Sequence, residues 1–343
     1  MIEIPTPDDW HVHLRADEML EAVVGYSARR FRYALVMPNL RPPITTTSAA
    51  IDYRDRIMGV APRDTGFHPI MALYLTPEVS LDDLRRGADE GIVAGVKYYP
   101  AGATTNSDGG GSSLSDFRGL LEGMAEAGVR LLVHAEATDP SLDIFDREAA
   151  FLEHELAPLC AAVPELRVTV EHVSTRAGVE FVGAHPRTAA TITPHHLARQ
   201  RTDLLADGMR PDLFCKPVIN SADDRDALIE AATGGVGPFC LGTDSAPHPT
   251  TAKYGPRAAA GIFNAAYGLE VVAEVFHQAG RLDRMGAFAS GNGCAAYGVE
   301  TPETTLTLTR EPVEVERDTQ LETEAGDQVV LFGAEEAARW TIS

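Results

Sequence analysis

Asp9-Trp10-His11-Val12-His13 is a short, largely apolar run that ends in two histidines. In an extended strand alternate residues share a face, so His11 and His13 point to one side and Val12 to the other. Working outward, seven more runs have the same texture: Tyr33–Met37, Pro69–Tyr74, Ala94–Tyr98, Arg130–His134, Arg167–Val173, Ala189–Thr193 and Pro238–Thr243. Each is nearly continuous in apolar character, as strands of a parallel sheet buried on both faces are. Helical periodicity fills the gaps between them. Ser115 is placed to cap a helix in which Phe117, Leu120, Leu121 and Met124 recur at helical spacing, and Gly128 stands where a glycine stop belongs. Phe145, Ala149, Leu152, Leu156 and Leu159 form a second stripe, and a third helix is expected over Leu81–Gly91. Eight strands alternating with helices predict an α/β chain folded as a (β/α)8 TIM barrel, ahead of a doubly wound open sheet.

After Thr301 the texture changes. Leu306, Leu308, Val313 and Val315, then Val329–Phe332 and Trp340–Ile342, alternate with Thr and Glu, which predicts a small C-terminal β appendage on one barrel domain spanning 1–343. Hydrophobic content of 44% with 23% charged residues is ordinary for a globular chain. No apolar run reaches the roughly 18 residues of a membrane span, and Met1–Trp10 has neither the basic start nor the apolar core of a secretory signal, so a cytoplasmic protein is expected. Cys160, Cys215, Cys240 and Cys294 form no CxxC pair and read as inert thiols in a reducing compartment. A net charge of −21 excludes nucleic acid and anionic membrane as partners, since either needs a concentrated basic surface. The chain has only three lysines. An acidic small molecule would have to be drawn in by a local cationic site.

The ends of the predicted strands carry an unusual set of side chains. Strand one ends in His11 and His13, strand four in Lys97, strand five in His134, strand six in His172 and strand eight in Asp244. An HxH pair or a single buried histidine is more often structural than metal-binding. Polar groups at the same end of five strands are harder to explain by packing, because burial costs them hydration unless they are paired or coordinated. Imidazoles with a carboxylate suit zinc or a similar divalent ion. His68, His154, His185 and His277 fall in loops or on helices and are assigned no role. Lys97 would be poorly solvated at an interior strand end. It either pairs with Asp244 or, with its pKa lowered by desolvation, takes up carbon dioxide to form a carbamate that bridges two ions as a carboxylate does.

Seven stretches resemble the dihydroorotase family, in its single-domain bacterial type within the amidohydrolase superfamily. They are Asp9–Arg15, Val36–Asn39, Val96–Ala101 with Ala103–Asn106, Leu132–Glu136, Val170–His172, Thr191–Leu197 and Gly242–His248. The resemblance spans nearly the whole chain in order. It implies two Zn2+ ions held by His11, His13, carboxylated Lys97 (N6-carboxylysine), His134, His172 and Asp244, with Lys97 bridging. It further implies a bridging hydroxide that attacks the cyclic amide carbonyl of L-dihydroorotate, with Asp244 as general acid and base. The reverse direction closes N-carbamoyl-L-aspartate in de novo pyrimidine (UMP) biosynthesis. Arg15, Asn39 and His248 would hold the substrate carboxylate, which supplies the cation the acidic chain requires. A lid carrying Thr104 and Thr105, with Gly102 and Gly109–Gly111 for freedom, and backbone contacts near Lys216 and Ala260 complete the implied site, in a homodimer. Lys216 departs from the family pattern, where an apolar residue is expected, and Arg257–Gly261 shows little of it.

Two alternatives differ in class. A hydantoinase or allantoinase would share the metal cage but usually carries a β domain ahead of the HxH strand, for which a strand beginning at Asp9 leaves no room. A catalytically silent scaffold typically loses ligands, whereas all six positions are filled here.

Overall fold

The computed structural model describes residues 1–343 except 108, 112 and 207. Eight strands form one parallel sheet in sequential order: β1 (Asp9–Val12), β2 (Tyr33–Val36), β3 (His68–Tyr74), β4 (Val93–Tyr98), β5 (Arg130–Val133), β6 (Val168–Val170), β7 (Thr188–Ile192) and β8 (Phe239–Leu241). Neighbours run in the order of the chain because each crossover is a helix that packs back on the outside of the sheet. These helices include Asp17–Ala28, Thr47–Val60, Leu81–Asp89, Arg118–Ala127, Arg176–Ala184 and Ala222–Ala232, and Gly268–Gln278 follows the last strand. Past β8 the chain closes the ring: Asp244 N donates to His11 O at 2.8 Å and His13 N to Ser245 O at 3.0 Å. Asp9 reinforces that seam by accepting from Thr243 N (2.8 Å) and Thr243 Oγ1 (2.6 Å). Burial pushes the Asp9 carboxyl up to about 7 despite those bonds. Gly242 lets the walls approach at this point, since a Cβ there would lie 2.6 Å from Thr191 Cβ and 2.9 Å from His11 Cβ. The barrel expected from the sequence is the fold.

Local differences have local causes. Residue runs 167–173 was expected as one strand, but β6 stops at Val170 because His172 takes φ +41, outside the extended region. The amides of Glu171 and Val173 still bond to β5 and β7, at Val133 O and Thr191 O. Ser115 is not the helix cap. Ser113 Oγ accepts from Ser115 N, and a 3-10 turn over Leu114–Phe117 leads into Arg118–Ala127, which ends at Gly128 (φ +69) as expected. The helix expected from Phe145 begins at Arg147, passes a π turn at Leu152–Leu156 and runs on through Ala157–Ala162.

The β appendage is present, and the N-terminus joins it. Ile2–Pro5 pairs antiparallel with Thr305–Arg310, which pairs with Trp340–Ile342. A hairpin of Gln320–Glu322 and Gln328–Val330 lies beside them, and Leu321, Val329 and Leu331 pack against Val23, Phe263 and Tyr267. Val313 and Val315 are exposed and belong to no strand, so their alternation is not a sheet face. The four cysteines are free thiols, three of them buried.

Candidate active site

The residues at the C-terminal mouth of the barrel fall into two groups of donor atoms. On one side, Asp244 Oδ1 lies 3.4 Å from His11 Nε2 and 3.1 Å from His13 Nε2. On the other, His134 Nδ1 lies 3.1 Å from His172 Nε2. Lys97, fully buried in β4, has no hydrogen-bond partner for Nζ among the described residues, and His11 Nε2 has only the long 3.4 Å approach to Asp244. Lys97 therefore does not pair with Asp244. Buried donors and acceptors without partners are costly, so this set is shaped for something else to bind between the groups. His172 and Asp244 are held at φ +41 and φ +44, and Arg15 at φ +61, a region non-glycine residues enter only when the surroundings force it.

Three of the four imidazoles are oriented by a partner on the far nitrogen; His172 Nδ1 has none among the described residues. His11 Nδ1 meets Glu171 Oε2 at 2.7 Å, His134 Nε2 meets Glu136 Oε2 at 3.0 Å and His13 Nδ1 meets Asn39 Oδ1 at 2.8 Å. Such contacts fix the tautomer and aim the remaining lone pair, as in carboxylate–histidine–metal arrangements. Thr191 Oγ1 holds Glu171 in turn at 2.7 Å. Burial lowers His13 to about 4, lowers His134 and pushes His172 well below the ordinary histidine value. These rings are neutral, the state that ligates metal. For His11, burial is outweighed by the Glu171 carboxylate and the pKa rises. Burial pushes Lys97 down to about 8 against the pull of Glu171 and Asp244. Burial resists ionisation of Asp244, but His11 and His13 hold its carboxyl well below the usual range. The donor chemistry and the orphaned atoms fit divalent ions of the zinc type.

A narrow cleft opens onto these residues and is also lined by Arg15, Asn39, Tyr99, Thr104, Thr105, Lys216, Ala246, Ala260 and Gly261. Arg15 Nε donates to Pro247 O at 3.2 Å, and its Nη2 lies 3.1 Å from His248 Nε2. His248 stands behind Arg15 and faces a second, roomier pocket. Burial together with Arg15 and Lys253 lowers His248 to about 3. Asn39 spends its side chain inside the protein, with Oδ1 on His13 and Nδ2 on Thr105 O at 3.0 Å. Thr105 Oγ1 reaches Ala260 O at 3.4 Å, while Ser107 Oγ engages both N and O of Thr104. Lys216 Nζ donates to Glu136 Oε1 at 3.1 Å, so its side chain joins the His134 network.

Glu136, Glu171, Thr191 and Tyr99 were not singled out from the sequence. The first two had a readable signal, a carboxylate one or two residues from a ligand-type histidine. Tyr99 had none; its hydroxyl is buried and unpartnered, and its ring lies 5.1 Å from Lys97 Nζ. In a second buried convergence, His195, His196 and Cys215, local bonds take up His196 and Cys215, while His195 is held by Asn264 at Nδ1 and leaves Nε2 without a partner among the described residues. His196 contacts Thr193 Oγ1 (2.8 Å) and Pro217 O (3.1 Å), and Cys215 Sγ donates to Pro217 O.

The sequence profile of the Amidohydrolase family matches residues 4–302. A dihydroorotase of Synechococcus sp. (strain CC9605) is 48% identical over 343 residues, covering 100% of this chain and 97% of its own. A dihydroorotase of Ruegeria pomeroyi is 47% identical over 316 residues, covering 92% and 91%. Among solved structures, dihydroorotase from Campylobacter jejuni superposes with a TM-score of 0.89 at 34% identity, over 100% of this chain and 96% of that one. Dihydroorotase from Saccharomyces cerevisiae in complex with 5-fluoroorotic acid gives 0.90 at 28%, over 100% and 99%. An L-hydantoinase from Arthrobacter aurescens shares the fold, with a TM-score of 0.78 at 19% identity, but only 78% of its chain is covered.

Proposed function

The chain belongs to the amidohydrolase family and within it to the dihydroorotases, and from that premise we propose how its residues divide the interconversion of N-carbamoyl-L-aspartate and L-dihydroorotate. The observation that carries the reading is the presence, in one cavity, of two facing groups of metal-type donors and a guanidinium. His11, His13 and Asp244 would hold one ion, His134 and His172 the other, and Lys97, as a carbamate, both. Zinc ions bound there supply polarisation of the amide carbonyl and acidify water. Asp244 takes the proton of the attacking water and delivers it to the ring nitrogen as the C–N bond breaks. In the synthetic direction it removes the amide proton and returns it to departing water.

Arg15 would hold the free carboxylate of the substrate, backed by His248, with Ala260 and the Thr104–Thr105 loop closing above it. Asn39 supports this by fixing His13 and the loop. Lys216, engaged by Glu136, would contribute backbone contact and local positive charge. A cytoplasmic homodimer of one-domain chains completes the reading; no helix among the described residues is long and apolar enough to cross a membrane.

The test is interconversion of carbamoyl aspartate and dihydroorotate with and without a chelator. Activity is expected to vanish on chelation and return with Zn2+; chelator-resistant turnover would sink the metal assignment. In Arg15→Met, metal content is expected to stay and KM to rise about 10- to 100-fold, the equivalent of one charge-assisted hydrogen-bond pair. An unchanged KM would remove Arg15 from the site.

A further inference from the structure

Lys97, Lys216 and Lys253 are the only lysines of the chain; Lys216 lines the cleft and Lys97 is buried in β4 beneath it. Lys253 ends the short helix Thr250–Lys253 and is 4% exposed. Its Nζ donates to Phe214 O at 2.8 Å, Ala259 O at 3.1 Å and Gly261 O at 2.7 Å. Three carbonyls therefore take up all three N–H groups of one buried ammonium. They come from two chain segments that no barrel strand holds. Phe214 leads into Cys215 and Lys216, while Ala259 and Gly261 bracket Ala260.

The segments are joined by one further bond, Gly261 N to Phe214 O at 3.0 Å. In extended backbone successive carbonyls point to opposite sides. Those of residues 259 and 261 turn to Lys253, and that of Ala260 turns the other way, 3.4 Å from Thr105 Oγ1 and 3.0 Å from His248 Nε2. Gly261 permits this, with φ +149 and a position where a Cβ would sit 2.7 Å from Ala246 O.

We propose that Lys253 is a positioning residue for substrate binding: its ammonium fastens the two backbone segments so that Ala260 faces the threonine loop and the histidine behind Arg15. The inference rests on the dihydroorotase reading and deepens it. Remove the ammonium, and three inward carbonyls have no donor; the 259–261 segment turns away and the wall opposite Arg15 is lost. The donor atoms at the barrel mouth are held by other elements and keep their places.

The test uses full-length Lys253→Met and Lys253→Ala with Zn2+ bound. In both, KM for dihydroorotate is expected to rise about tenfold or more, equivalent to about 1.4 kcal/mol, with metal per chain unchanged and kcat within a few-fold. In Lys253→Ala, n-propylammonium is expected to bring KM back and n-propanol to fail. Hydrogen exchange at the Gly261 amide is expected to accelerate in both. Lys253→Gln, which keeps two N–H donors, should fall between, and it carries the test if the others do not fold. An unchanged KM with unchanged Gly261 exchange overturns the proposal, as does a parallel loss of kcat, metal and KM without propylammonium rescue. A wild-type protein inactive on both substrates would instead sink the enzymatic reading, and Gly261 exchange would then decide the role of Lys253 alone.

Discussion

Lys97→Ala is expected to lose bound metal and turnover together, each by more than about 100-fold, the upper end of what removing an outer partner of a ligand costs. Nζ of Lys97 is buried, has no hydrogen-bond partner among the described residues and acts electrostatically on His11, His134 and His172. An ammonium there donates no hydrogen bond to a described residue, whereas a carbamate would bridge the two groups of donors. Short carboxylic acids, which can enter the space left by the side chain, are expected to restore part of both losses. Full activity of Lys97→Ala without added acid would dismiss the carbamate. Stability gives a second, independent readout. In the metal-free protein burial lowers the Lys97 pKa from 10.5 to about 8, so protonated Lys97 destabilises the fold by about 3 kcal/mol below pH 8. That cost is relieved as pH rises from 8 toward 10.5, where the unfolded chain still binds the proton and the folded one does not. Metal-free Lys97→Met should therefore melt higher than metal-free wild type at pH 7, and the difference should shrink at pH 10.

Asp244→Asn is the second large effect: kcat is expected to fall about 10^2- to 10^4-fold, the range associated with a positioned proton carrier. The amide keeps the size of the side chain and a carbonyl oxygen near His11 and His13, so some metal should remain, and the rate per bound metal is the quantity to compare. A variant with full metal content and kcat within a few-fold of wild type would take the proton transfer away from Asp244.

Most of the barrel was legible because a strand covered on both faces must be apolar along its whole length, and few other segments are. The ligand-type residues stood out for the complementary reason: they interrupt that apolarity at one end. What escaped was decided across distance. Ile2–Pro5 has nothing in its own sequence that names Thr305–Arg310 as its partner, some 300 residues on. Lys216 was expected to offer a backbone contact in place of an apolar residue; its side-chain partner Glu136 was not foreseen because it lies 80 residues earlier. Asn39 was expected to bind the substrate carboxylate; that its amide also holds His13 and the threonine loop, 26 and 66 residues away, is not visible in its motif. The end of β6 was misjudged because the strain at His172 leaves no mark in composition.

The seam between the first and eighth strands has a consequence for how the protein comes into being. The bonds that shut the ring, His11 O to Asp244 N and His13 N to Ser245 O, join residues among the first and last members of the donor set. During synthesis His11 and His13 emerge early, but the chain that completes their pocket follows more than 230 residues later. The group of His11, His13 and Asp244 is therefore complete only once the ring has shut, and a truncated chain that stops before β8 lacks it.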